Sequence, residues 1–514
     1  MNCRRLHPGA RPASAWHRLW CPECRAAESV DAAIAAGIER MQLEPIPADG
    51  IARTRAAVGL DSVPQGQYLP VRRRAFRRLS LSAGLLAAAL SIGGYAWWQY
   101  VNADPDIPVP TPTMPKPNAF DFYRTAGMNL RDDDQIGVAL SNRRPQADKA
   151  VEQPQSAHKG PERPQDHIYS LAEKEALVRE NASALLVLRQ GLAYPYQEPP
   201  ARSLNAVFPH LAKYRSLARL LALEAQTKAA RGDWAGAVRS DLDAIEMGEQ
   251  IPHGGILIGK LVGIACEAIG RKPLWKAIDH LNAGQARATA RRLERIRGLH
   301  VPIAETLKEE KWFTLAGLQE AFRHPDWLRQ WAKAGQEDPS LVEEVSGYLL
   351  LLRHSKRQIL DNYMRYMDQA IACAKLPYAV PCAAPAVPED PINRWLAPTF
   401  TQARFQDAAY SETLNALLLT ALALRAYRLE HGAYPQTLSA LVPAYLSQVP
   451  EDPFALYTAL RYKRMGAAYL LYSIGPDGKD DGGVPINNPK ATSETQRHMV
   501  LAESVGDIVA GINN

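Results

Sequence analysis

The chain lacks the short motifs that accompany nucleotide and hydrolytic chemistry. It has no phosphate-binding Gly-rich loop, no dinucleotide fingerprint, no Gly-x-Ser-x-Gly and no His-Glu-x-x-His. Each of those patterns exists to cradle phosphates, expose a nucleophile or place two imidazoles on one metal, so the common forms of that chemistry are excluded. No enzymatic activity is expected. Lysine is absent from the first 78 residues, which hold thirteen arginines and seven acidic residues. Beyond them basic and acidic groups balance, 47 of each. The whole net charge of +6 therefore belongs to the N-terminal end, and no separate basic surface for direct nucleic-acid binding is implied. Cysteine is scarce, six in 514 residues, too few for a disulfide scaffold. Uncharged hydrophobic runs long enough to matter are scarcer still.

One such run exists. Leu79–Trp98 is twenty residues without a charge, about what a helix needs to cross ~30 Å of hydrocarbon. Arg72, Arg73, Arg74, Arg77 and Arg78 precede it, and Trp97, Trp98 and Tyr100 stand at its far end. That flanking pattern predicts a transmembrane helix in the cell inner membrane, single-pass and in contact with membrane lipid. Residues 1–78 would be cytoplasmic and the C-terminal bulk extracytoplasmic. A cleaved signal peptide would start far earlier in the chain.

The cysteines divide at the same run. Cys3, Cys21 and Cys24 precede it, where clustered thiols favour metal over disulfide. Cys373 and Cys382 flank a short loop with Pro377 and Pro381, which leaves a local disulfide and two free thiols as open alternatives. Cys266, inside LVGIACEAIG, reads as a small buried hydrophobe. The spacing His17-x3-Cys21-x2-Cys24 suits a tetrahedral zinc ion, with Cys3 as fourth ligand and His7 as its substitute. HRLWCPECRAAE resembles the zinc-finger of membrane-bound anti-sigma factors, and EPIPADGIARTRAAV ahead of an apolar span is similar to their layout. The resemblance covers residues 1–60. It implies that Cys3, His17, Cys21 and Cys24 are zinc ligands and that the cytoplasmic partner is a sigma factor or another protein.

Further along, Ala103–Asn118 carries six prolines in sixteen residues and reads as an extended spacer. Residues 131–168 read as a loose polar loop. From Leu171 to Ala374 helical periodicity dominates. Leu211, Tyr214, Leu217, Leu221 and Ala225 form one stripe, and Val238, Leu242 and Ile245 form the next after Gly232-Asp233. The pair resembles a tetratricopeptide unit in outline, without a clean repeat period. A further helix is expected over Leu341–Ala374. Glu309 and Glu310 read as solvated neighbours, and Trp234 and Trp312 as packing residues.

A helix from Phe405 to Glu430 should end at Gly432, followed by strands in LRYKR and AAYLLYSI and a loop, GPDGKDDGG. TLNALLLTALALRAYRLEHGAYPQTLSAL, the DPF of VPEDPF, YLLYSIGPDG and a late Asp-Ile resemble the soluble half of type II secretion major pseudopilins, without the FTLIE-like start that polymerising members carry. That resemblance implies a calcium ion on Asp477, Asp480, Asp481 and Asp507. Asp477-Gly478 and Asp481-Gly482 also read as plain turn pairs.

The expected fold is mainly α. It comprises a zinc-binding helical module (1–60), a basic juxtamembrane segment (61–78), a transmembrane helix (79–98) and a linker (99–168). An extracytoplasmic helical domain (169–398) and a small α+β pseudopilin-like domain (399–514) follow. The expected function is a membrane regulatory protein, with a zinc module inside and a sensing or binding region outside that meets an unknown extracytoplasmic protein or envelope ligand. The alternative is an envelope scaffold or type II secretion accessory protein.

Overall fold

The computed structural model describes residues 89, 91–97, 99, 103–141, 167–324, 354–397, 400–489, 491 and 493–513. Two compact units divide the chain, residues 1–102 with 326–352, and residues 103–325 with 353–514. The described fold is mainly helical with one small three-stranded sheet.

Among the described residues no helix is long and apolar enough to cross a membrane. This overturns the transmembrane helix expected over Leu79–Trp98. The single-pass inner-membrane location falls with it, as do the assigned cytoplasmic and extracytoplasmic sides. The reason is length: inside that span the continuous helix described is 91–97, about 10 Å at 1.5 Å per residue against the ~30 Å a crossing requires. Residues 79–88, 90 and 98 lie outside the described residues.

In the second unit the chain enters along 103–118, extended as its prolines dictate, and is tied to the body rather than spaced away from it. Gln319 donates to the carbonyls of Pro105 and Ile107, and Lys356 pairs with Asp104 at 2.7 Å. Helix α1 (Ala119–Met128) starts at Asn118, whose side chain accepts from Phe120 N. The expected loose loop over 131–168 instead contains α2 (Asp133–Ser141), because Ile136 and Ala139 bury one face. Residues 142–166 lie outside the described residues. Helices α3 (Leu171–Glu180) and α4 (Ala182–Gly191) follow.

The stripes read from the sequence become α5 (Pro209–Ala230) and α6 (Trp234–Gln250), broken where Gly232 takes φ 81° and Asp233 caps α6 through Gly236 N. Helix α7 (Leu257–Ala277) packs tightly along α6. Glycine makes that approach feasible: a Cβ on Gly263 would fall 2.5 Å from the Gly248 carbonyl. Leu217, Leu221, Met247 and Cys266 share one core with Tyr123 of α1.

Helix α8 (Ala283–Arg297) leads through a short loop to α9 (Ile303–Arg323), which packs on α10 (Lys356–Ala374). Of the helix expected over 341–374, residues 341–353 lie outside the described residues. After α11 (Pro391–Leu396) comes one long rod, α12 (Phe400–Gln406), a π-helical turn (Asp407–Thr413) and α13 (Leu414–His431). Gly432 closes it at φ 74°. Leu417, Leu418 and Leu422 join Leu293 and Ile296 of α8 in the largest core, which continues into Leu441, Leu460 and Ile508 beneath the sheet.

Strands β1 (Arg461–Met465) and β2 (Ala468–Ser473) form an antiparallel hairpin with Met465 opposite Ala468, and β3 (Ile508–Val509) pairs antiparallel with β2. Gly466 takes φ 62° at the first central position, as a type II′ turn requires. The last helical turn is α14 (Glu494–Arg497).

Candidate functional site: a cavity over a buried charge cluster

The centre of the second unit is charged. Helix α7 carries exposed Lys272 and Lys276 near its end, but Lys260, Glu267 and Arg271 are buried within it. The rod contributes Asp407, Ser411 and Asn415, also buried. Their spacing of four matters, because a straight α-helix drifts about 40° with each four-residue step. Between them the backbone widens: Leu414 N donates to Ala409 O, five residues back. The wider turn counters the drift and brings all three side chains to the same cluster. Such π-turns cost regular helix geometry and recur at functional sites.

Lys260 Nζ lies 2.7 Å from Asp407 Oδ1 and donates to Val301 O at 2.8 Å. Asp407 Oδ2 accepts from Ile303 N at 3.1 Å. Ser411 and Asn415 donate to Glu267 at 2.9 and 2.8 Å, and Asn415 also reaches Glu249 at 3.2 Å. Arg271 donates to Asn415 Oδ1 at 2.9 Å. His300, between α8 and α9, sets Nδ1 3.3 Å from Glu249, with Nε2 3.4 Å from Asp407 and 3.9 Å from Glu412. His300, Asp407 and Glu412 thus bring one ring nitrogen and two carboxylate oxygens within 4.8 Å of one another.

Burial and mutual charge set the protonation of these groups. Burial works against the charged form of Lys260, but Asp407, Glu249 and Glu267 outweigh it and hold the ammonium above its ordinary value. Burial alone would raise Asp407; Lys260 and His300 hold it low, at about 2. Burial opposes the imidazolium of His300, yet Asp407 and Glu249 lift it to about 10. Burial and the charge of Glu249 push Glu267 up to about 8 against Arg271 and Lys260. Glu412 stands at the rim with 43% of its side chain accessible, and its surroundings and Asp407 raise its carboxyl.

Asp407 and Glu412 open onto a cavity of about 640 Å³. Its walls come from four stretches far apart in sequence: the end of α8, the loop after α10, the rod and residues 447–457. Each is fixed. The Cys373–Cys382 disulfide closes the loop after α10, and the Arg404 guanidinium donates to the carbonyls of Leu376 and Pro377. Asp452, buried, accepts from Ser473 Oγ, Ile474 N and Phe454 N, pinning 447–457 to β2. Glu294 is engaged with Ser447. The guanidinium of Arg297, half-buried on the wall, has no hydrogen bond and no ion pair within 4 Å among the described residues; burial lowers its pKa, and the nearby carboxylates of Glu412, Glu249 and Glu294 work against that.

Comparison with known proteins adds no relative. No family model matches the chain, and no curated protein or solved structure is recognisably similar to it. The two resemblances therefore rest on the residues that carry them.

Of the sites read from the sequence, Cys3, His17, Cys21 and Cys24 lie outside the described residues, as does His7. The acidic loop is described. Asp507, buried, accepts from the backbone of Asp481 and Gly483, and Asp480 is tied to Arg461, Tyr472 and Gly482 N. Asp477 accepts from Lys479 N, and Asp481 is exposed. These carboxylates accept from the loop's own donors; among the described residues, three metal-capable side chains converge around His300. Sequence reasoning missed that cluster. Its signal was present as charge inside apolar helices: Lys260, Glu267 and Arg271 on one face of α7, and Asp407, Ser411 and Asn415 on the rod. Glu310 was misread as solvated; its carboxylate accepts from Leu257 N at 2.8 Å and caps α7.

Proposed function

We propose that the chain is a regulatory binding protein that catalyses no reaction. Its second unit captures a small organic anion in the 640 Å³ cavity. The N-terminal module, holding zinc through Cys3, His17, Cys21 and Cys24, passes that occupancy to a protein partner, of the sigma-factor class that its resemblance implies.

The observation that carries this reading is Arg297. Glu294 and Glu412 on the same wall partly balance its charge but do not close onto its donors, and a half-buried guanidinium with no hydrogen bond is costly to keep; an anionic ligand supplies those bonds. Lys375, exposed on the same wall, adds a second positive charge. The cavity volume falls in the range of small-molecule sites.

A thermal-shift screen of the full chain against small carboxylates and phosphates tests it. At least one compound should raise the unfolding midpoint of the wild type and leave Arg297→Ala unshifted. A screen in which no compound discriminates the two proteins overturns the reading. For the N-terminal module, the full chain should retain a sigma factor in pull-down and lose it with Cys21→Ser and Cys24→Ser.

A further inference from the structure

We propose that His300, Asp407 and Glu412 bind one divalent first-row cation, zinc being the best match to this donor set. The site is distinct from the N-terminal cysteine module and does not depend on the anion reading.

The ion-paired separations around His300 also match the edges of a metal coordination shell. His300 Nε2 is buried and makes no hydrogen bond, although Asp407 Oδ1 lies 3.4 Å away and Glu412 Oε1 3.9 Å away. Hydrogen bonds of that kind close to about 2.7–3.2 Å. Two ligands on a tetrahedral zinc ion, each about 2.1 Å from it, stand about 3.4 Å apart. The His300–Asp407 separation is that edge, and Glu412, on the accessible rim, needs only a small movement to complete it.

The surroundings support the same role. The second ring nitrogen of His300 faces Glu249, which is itself held by Asn415. A metal-bound imidazole is commonly oriented by such a carboxylate. Lys260 shares Asp407 Oδ1, and a carboxylate oxygen has a lone pair for each of two partners. The cation displaces the proton that Asp407 and Glu249 hold on the ring; with His300 then neutral, Asp407 and Glu412 supply two negative charges toward the dication, and Glu249 offsets Lys260. One imidazole with two carboxylates suits a borderline first-row ion better than calcium or magnesium. Two of the three ligands, Asp407 and Glu412, also line the cavity, so a water or an anionic group can reach the ion from there and complete the shell.

The test uses the full chain carrying Cys3→Ser, Cys21→Ser and Cys24→Ser, so that N-terminal thiolates do not contribute. Zinc alone is titrated against a chromophoric chelator. One equivalent should bind. Glu412→Gln, near-isosteric and at the rim, should keep the fold by circular dichroism and weaken zinc at least tenfold. His300→Gln should weaken it at least a hundredfold. Absence of bound zinc overturns the proposal, as does an affinity that neither Glu412→Gln nor His300→Gln changes by more than twofold.

Discussion

Lys260 Nζ and Asp407 Oδ1 meet at 2.7 Å with 1% and 3% of their side chains accessible, a buried ion pair between α7 and the π-turn. Val301 O and Ile303 N complete their hydrogen bonding. The pair locks the loop carrying His300 between two elements that meet at the centre of the unit.

Removing one partner should be far worse than removing both. Lys260→Met leaves Asp407 buried with the His300 imidazolium alone to balance it, and urea denaturation should show a loss approaching the ~3–5 kcal/mol of a broken buried pair. The double variant Lys260→Met, Asp407→Leu should recover most of that loss. Equal destabilisation in the two proteins would contradict the assignment.

Glu267 gives the core a pH dependence. Burial and Glu249 raise its folded pKa to about 8 from 4.5, against Arg271 and Lys260 on its own helix. The folded state therefore binds this proton more tightly than the unfolded chain does. Its contribution is fully present below about pH 4.5 and is lost as pH rises through 8. Glu267→Gln keeps the shape of the protonated form. Its midpoint in thermal unfolding should gain on that of wild type from about pH 4.5 to pH 8 and hold a constant lead above that.

The α6–α7 approach should tolerate no added methyl. Gly263→Ala places a Cβ 2.5 Å from the Gly248 carbonyl, and Gly270→Ala one 2.5 Å from Asp241 O. Each should cost about 1–3 kcal/mol in denaturant unfolding, the usual cost of overpacking. Gly432→Ala, in open space, should cost only what its φ of 74° imposes, on the order of 1 kcal/mol.

Much of the local structure was legible in the sequence. Gly232-Asp233 marked the break between α5 and α6 because glycine supplies a positive φ and aspartate caps the next helix. Gly432 marked the end of α13 for the same conformational reason. The alternation in LRYKR and AAYLLYSI was enough for the β1–β2 hairpin. The charge cluster was not read, since it assembles residues 249 to 415 from α6, α7, a loop and the rod, and no local period encodes that meeting. The π-turn has no signature either; without it Asp407, Ser411 and Asn415 read as breaks in an apolar helix. Leu79–Trp98 misled in the opposite sense, because composition and flanking arginines were read as a membrane crossing while the described helix there is short.

The Cys373–Cys382 disulfide should matter to the cavity wall. Closing so short a loop is worth about 2.5 kcal/mol by loop entropy, so Cys382→Ser should lower the unfolding midpoint measurably. Because Lys375 to Tyr378 lie inside that loop and line the cavity, the same variant should also weaken ligand binding. Unchanged stability would mean that the loop is held by Arg404 alone.

The most direct test of the account is isothermal titration of wild type and Arg297→Ala with the best compound from the carboxylate and phosphate screen. Loss of a charge-assisted hydrogen bond worth about 1.5–3 kcal/mol predicts binding weaker by roughly ten- to a hundredfold, with the unfolding midpoint of the unliganded variant no lower than that of wild type. Equal affinity in the two proteins would contradict the claim that the cavity holds an anion through Arg297.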